Sequence, residues 1–150
     1  MVLSSSRPGT AAWLLLALST SLLVGCSSQE FPTAPAGGSV TVDGKPFTTG
    51  QVMFTPMSQR EDNLAGPAAI GSLDDEGHFE LRSSGDVTGA VIGPHQVTVI
   101  NTADKETAKA SGIRFDRIKV PTGVFTVEAG EQNQFAIELT SEMLRRYASR

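Results

Sequence analysis

The chain has 150 residues and a formal charge of −4, from 12 Lys+Arg against 16 Asp+Glu. That length admits one domain plus accessories, and no basic stripe is available to pair with phosphates, which argues against nucleic acid as a partner. One cysteine excludes an internal disulfide and a cysteine-based zinc site, and two histidines leave little for a His-rich metal centre.

Met1 to Ala12 carry one charged side chain, Arg7, and no acid. Trp13 to Leu18, Ser19 to Ser21 and Leu22 to Val24 then make an apolar stretch of about 14 residues, the size of a signal-peptide core and short of the roughly 20 that a spanning helix needs. It ends at Leu23-Val24-Gly25-Cys26. This resembles the bacterial lipobox, in which the cysteine thiol is alkylated by a diacylglycerol, signal peptidase II cuts before it, and the new amine is often acylated. The resemblance implies a signal peptide over 1–25, lipidation at Cys26, and a membrane as partner through the anchor. Ser27 follows the cysteine where the best-known sorting rule places Asp for inner-membrane retention, so the outer membrane is favoured. Removing residues 1–25 takes away Arg7 and no acid, which leaves 11 basic and 16 acidic residues and a net charge of −5.

Residues 26–38 are small and Pro-rich without apolar periodicity, and read as a spacer between the anchor and a domain over 39–140. From Ser39 the pattern changes to short alternating runs broken by turn residues every 8 to 12 positions. That spacing predicts an all-β sandwich of seven or eight strands. The expected strands are Val40–Val42, turned by Asp43-Gly44; Gln51–Thr55, ended by Pro56; Ala68–Leu73, turned by Asp74 to Gly77 into His78–Arg82; Gln96–Ile100; Ile113–Val120; Val124–Glu128; and Gln134–Leu139. In the last strand Phe135, Ile137 and Leu139 take the core face. Asp104 to Lys109 mixes both signs and reads as a solvated loop. Ser141 to Arg150 reads as a tail with at most one helical turn, capped by Ser141.

Four segments in order carry a further resemblance. They are Gly38 to Phe47, Gly50 to Pro56, Ala69 to Leu81 and Gly89 to Val99. They resemble the carboxypeptidase regulatory-like, or transthyretin-like, domain, whose usual forms are G-x-V-x-x-D/N-G-K-P-L, V-x-F-x-P, A-x-G-x-x-D-x-x-G-x-F-x-L and G-A-x-x-G-x-y-x-V-x-v. With the lipobox and short linker, the whole is similar to small lipoproteins of planctomycete-type bacteria. The chain departs from the family in its last third, where Ile118-Lys119-Val120-Pro121 has the proline displaced and lacks the usual tyrosine.

The chemistry on offer is sparse. His78 beside Asp74, Asp75 and Glu76 lacks the alternate-position acids and distal Glu of an EF-hand, so a solvated turn is expected. His95 follows Pro94 at a strand start and reads as a surface imidazole. No Gly-x-Ser-x-Gly elbow, P-loop or dinucleotide fingerprint occurs, so no cofactor is expected. Transthyretin-like folds also include hydroxyisourate hydrolases, which need a first-strand His and a C-terminal Tyr-Arg-Gly-Ser. Here Val40 and Val42 hold the first strand and Arg146-Tyr147-Ala148-Ser149 is not that tail. The resulting expectation is a non-catalytic envelope module for structural or protein-interaction roles, its partner another envelope protein. The alternative, a carbohydrate-binding module, would need exposed aromatics from among Phe31, Phe47, Phe115, Phe125 and Tyr147.

Overall fold

The computed structural model describes residues 31–58, 64–84, 87–112, 116–121 and 124–148. They form an all-β sandwich with two short helices. One sheet is built around β8 (Gly93–Asn101), which pairs antiparallel along β4 (Gly50–Pro56), from Gly50 opposite Asn101 to Pro56 opposite His95. β5 (Ala69–Ser72) lies on the far side of β4. The free edge of β8 is shared by β10 (Phe125–Val127) near Gly93 and by β9 (Arg117–Lys119) near Ile100.

The second sheet centres on β2 (Ala36–Val42). β3 (Lys45–Pro46) and β6 (His78–Glu80) share one side of it. β11 (Asn133–Leu139) runs parallel to it on the other, from Asn133 opposite Ala36 to Leu139 opposite Val42. A two-residue ladder joins β1 (Thr33–Ala34) to β7 (Ala90–Val91). The chain leaving β5 turns at Asp74–Gly77 into β6, and a bridge between Ile70 and Arg82 keeps the two sheets joined there.

The strand count exceeds the seven or eight expected because β1, β3 and β7 are two-residue ladders, too short to leave an alternating pattern. The spacer also ends earlier than expected. Pairing starts at Thr33, and Ala34, Ala36 and Gly37 are buried, so the sheets take up residues assigned to the 26–38 linker. The first strand begins before Ser39 because Gly37 and Gly38 lie where only a glycine fits. A β-carbon on Gly38 would meet the Phe135 carbonyl oxygen at 1.9 Å, and one on Gly37 would meet that of Phe79 at 2.6 Å.

Alternation puts Val40, Val42, Ile137 and Leu139 of one sheet against Val52, Phe54, Val97, Val99 and Ile118 of the other. Phe54 sits at the centre, with ring centroids 5.2 Å from Phe135, 5.7 Å from His95, 6.0 Å from Phe125 and 6.2 Å from Phe79. Phe135 is only half-buried, less than its phase implies.

Two helices replace segments read as loop and tail. α1 (Lys105–Ser111) starts where the Asp104 carboxylate accepts the Glu106 and Thr107 backbone N–H groups, each at 2.9 Å, and ends at Gly112 with φ 71°. Local capping supplies this helix, not an apolar face. α2 (Ser141–Ala148) tucks Leu144 into the core. Its start is held by Thr140, whose hydroxyl accepts the Met143 N–H at 3.2 Å, and not by Ser141 as cap. Ser141 serves Asp43 instead. Its N–H donates to the Asp43 carboxylate at 3.0 Å and its hydroxyl donates to the other oxygen. Those bonds hold the Asp43 carboxyl below its ordinary range. They also clasp the Asp43-Gly44 turn, where both residues take positive φ, to the last helix.

Candidate functional site

Leu23, Val24, Gly25 and Cys26 lie outside the described residues. What the structure places is the body that follows them. The described chain enters at Phe31, the Pro32 carbonyl accepts the Ile92 N–H at 2.9 Å, and Thr33 pairs with Val91. The entry is therefore pinned at one end of the sandwich, beside the start of β8.

At the opposite end lies the acidic turn. The Asp74 carboxylate accepts the Glu76 and His78 backbone N–H groups at 3.0 and 2.7 Å, which commits it to shaping the turn. His78 stands 4.0 Å from the other Asp74 oxygen with its side chain 65% exposed. This is the solvated turn expected, and among the described residues no three His, Cys, Asp or Glu side chains gather for a metal ion. His78→Ala should move stability by less than about 0.5 kcal/mol, as urea unfolding will measure.

His95 corrects the sequence reading. It is 0% exposed, not a surface imidazole. It shares the inward phase of Val97 and Val99, stands opposite Phe125 and Pro56, and packs on Phe54. Its Nδ1 is 2.9 Å from the Gly93 carbonyl, which only accepts, so the neutral ring carries its proton on Nδ1. Nε2 is buried without a hydrogen-bond partner. Burial lowers the imidazole pKa below its ordinary value; the Gly93 carbonyl opposes this more weakly. The folded protein therefore resists a proton that the unfolded chain accepts below about pH 6.5. Stability should be level above that pH and fall as pH drops from about 6.5 toward the lowered folded value. Urea midpoints between pH 5 and 8 will show this slope, and His95→Leu should flatten it. An unchanged slope in His95→Leu would remove His95 as its source.

Asn133 was not singled out in the sequence, yet it is the other buried polar anchor. Its carboxamide oxygen accepts the Glu128 N–H at 2.8 Å, and its Nδ2 lies 3.1 Å from the carbonyls of Pro35, Glu128 and Glu131. It ties the turn before β11 to the start of β2. Of the aromatics a sugar surface would need, Phe47 is buried and Phe31 and Phe125 are half-buried. Phe115 and the Tyr147 side chain lie outside the described residues.

No family model and no curated protein matches the chain. A solved structure that it resembles is titled "Crystal structure of (S)-allantoin synthase", with 14% identity and a TM-score of 0.38. The match covers 74% of this chain and 42% of that one, so this chain spans under half of its neighbour's length. The neighbour is an enzyme by its title, which runs against the expectation of a non-catalytic module for structural or protein-interaction roles, and that expectation is set aside. At that identity and TM-score the likeness carries no argument for an activity or substrate here.

Proposed function

We propose that this chain is an exported bacterial lipoprotein. Its signal peptide is removed before Cys26, the Cys26 thiol is joined to a diacylglycerol, and a carboxypeptidase regulatory-like sandwich is displayed at the cell envelope. The outer membrane is the favoured site, through Ser27. The observation that carries the reading is Leu23-Val24-Gly25-Cys26, which holds the chain's one cysteine and directly follows an apolar stretch of signal-peptide length. A thiol is the side chain suited to the thioether, because it is a far better nucleophile than a hydroxyl. The body supports the reading in one respect: β1 begins at Thr33, so its first paired residue lies seven positions from the proposed anchor. Two or three acyl chains hold such a body stably, since each buried CH₂ contributes about 0.8 kcal/mol and one chain alone is marginal.

Fractionation of cells expressing the full chain tests it. The wild type should sediment with membranes and Cys26→Ser should lose that association. A Cys26→Ser protein that stays membrane-bound at the wild-type level would refute the anchor.

A further inference from the structure

We infer that β11 is an interface: two copies of this chain pair their β11 strands antiparallel about Ala136 and join their sheets into one. This rests on the described body alone and not on the anchor. In the parallel ladder with β2, alternate residues of β11 turn their N–H and C=O toward the neighbour. The Asn133 N–H donates to the Pro35 carbonyl at 3.0 Å and the Leu139 carbonyl accepts the Asp43 N–H at 2.9 Å, so Asn133, Phe135, Ile137 and Leu139 are the residues bonded to β2. Gln134, Ala136 and Glu138 turn theirs the other way. Among the described residues no strand lies on that side, and the backbone of none of the three finds a hydrogen-bond partner there. All three residues are exposed.

Open edges are commonly guarded by shortness, Lys, Pro or a bulge, because a bare edge is a template for another chain. Elsewhere this fold follows that rule. β3 has two residues, Lys45 and Pro46, and β9 has three, with Arg117 and Lys119 exposed at its ends. β11 has seven residues and carries no Lys, Arg or Pro. Its register against β2 is continuous from Asn133 to Leu139, so no bulge turns it away. Phe135 marks the same margin. Its ring centroid lies 5.2 Å from that of Phe54 and 5.8 Å from that of Phe125, yet the residue is only half-buried.

The occupant follows from β11 being its own complement. Ala136 is the middle residue of the strand, and a two-fold axis there uses the whole length. Ala136 then faces Ala136 of the second copy, with little bulk on the axis. Gln134 faces the second copy's Glu138, an amide donor against a carboxylate, and the two Glu138 side chains stay apart. Each of these pairs has its N–H and C=O turned outward, so each exchanges both main-chain hydrogen bonds. Phe135 faces the second copy's Ile137 as a close, non-hydrogen-bonded pair, which covers the exposed part of the ring. Such a contact is isologous and closes on itself, so it stops at the dimer and does not grow into a fibre.

The test uses the full chain in detergent micelles, with sedimentation equilibrium giving the stoichiometry. A dimer is expected. Gln134→Glu sets like charges opposite Glu138 at both ends of the pair and should weaken the dimer at least roughly threefold, whereas Gln134→Lys should tighten it by a similar factor. Residue 134 is exposed, so circular dichroism should be the same in both variants. Ala136→Cys gives a second readout in intact cells. The paired Cα atoms would stand about 5.5 Å apart, within disulfide range, so mild oxidation should trap at least roughly tenfold more covalent dimer than with the exposed control Asp75→Cys. The wild type, whose one cysteine is Cys26, sets the background. A monomer in which Ala136→Cys is trapped no more than Asp75→Cys would overturn the inference. A dimer indifferent to the charge at residue 134 would place the contact elsewhere and overturn it too, as would a disulfide from Ala136→Cys to a different protein in place of the dimer.

Discussion

Phe54→Ala is expected to lower the stability of the sandwich by about 3–5 kcal/mol, the cost of truncating a fully packed core aromatic. Phe54 is 0% exposed, and its ring meets aromatic rings from both sheets: Phe135 and Phe79 from one, His95 and Phe125 from its own. Truncation leaves a cavity between the layers that neither sheet closes without breaking its own ladder, so the cavity cost adds to the lost transfer energy. Phe135→Ala should cost less. Phase alone gives the two residues equal weight, but Phe135 is half-buried and part of its surface is already in water. Urea unfolding of both variants checks the order, and an equal or larger loss for Phe135→Ala would contradict this packing.

Gly38→Ala should cost about 3 kcal/mol for one added methyl group, the upper end of overpacking costs. Gly38 is flanked on both sides, opposite Phe79 of β6 and Phe135 of β11. The added carbon would lie 1.9 Å from the Phe135 carbonyl oxygen and 2.8 Å from its carbonyl carbon. Both obstacles are backbone in a parallel ladder, so relief requires moving the first strand from the last. Gly130→Ala is the matched control. Gly130 has φ 76° and nothing within 4 Å of the added carbon, so it should lose only the left-handed penalty of about 1–2 kcal/mol. Thermal or urea unfolding that ranks Gly130→Ala as the worse of the two would refute the close approach.

Fold class and the longer strands were legible because one face of each is buried, and period two survives in Val40/Val42, Val52/Phe54, Val97/Val99 and Ile137/Leu139. Gly37 and Gly38 escaped the same reading for a physical reason. They have no side chain to alternate, so a strand that needs glycine for close backbone approach looks like spacer. The parallel pairing of β2 with β11 left no local trace, since it joins segments such as Pro35 and Asn133 that lie 98 residues apart. α1 had legible ends in Asp104 and Gly112, but no apolar stripe between them to announce a helix.

His95 was legible in principle. It sits two residues before Val97, in phase with the buried side of β8. The Pro94 before it suggested a strand boundary, and a boundary suggested solvent; the strand in fact begins at Gly93 and carries the imidazole inward. For the candidate site the limits differ. The proposed lipobox, Leu23 to Cys26, is readable because its chemistry is local and ordered along the chain.

The most direct test of the central proposal is the intact mass of the mature protein purified from membranes, with fragmentation of its first residues. The account predicts a chain that starts at Cys26 and carries a diacylglyceryl increment on that residue. A mature chain that starts elsewhere, or a Cys26 with a free thiol, would contradict it.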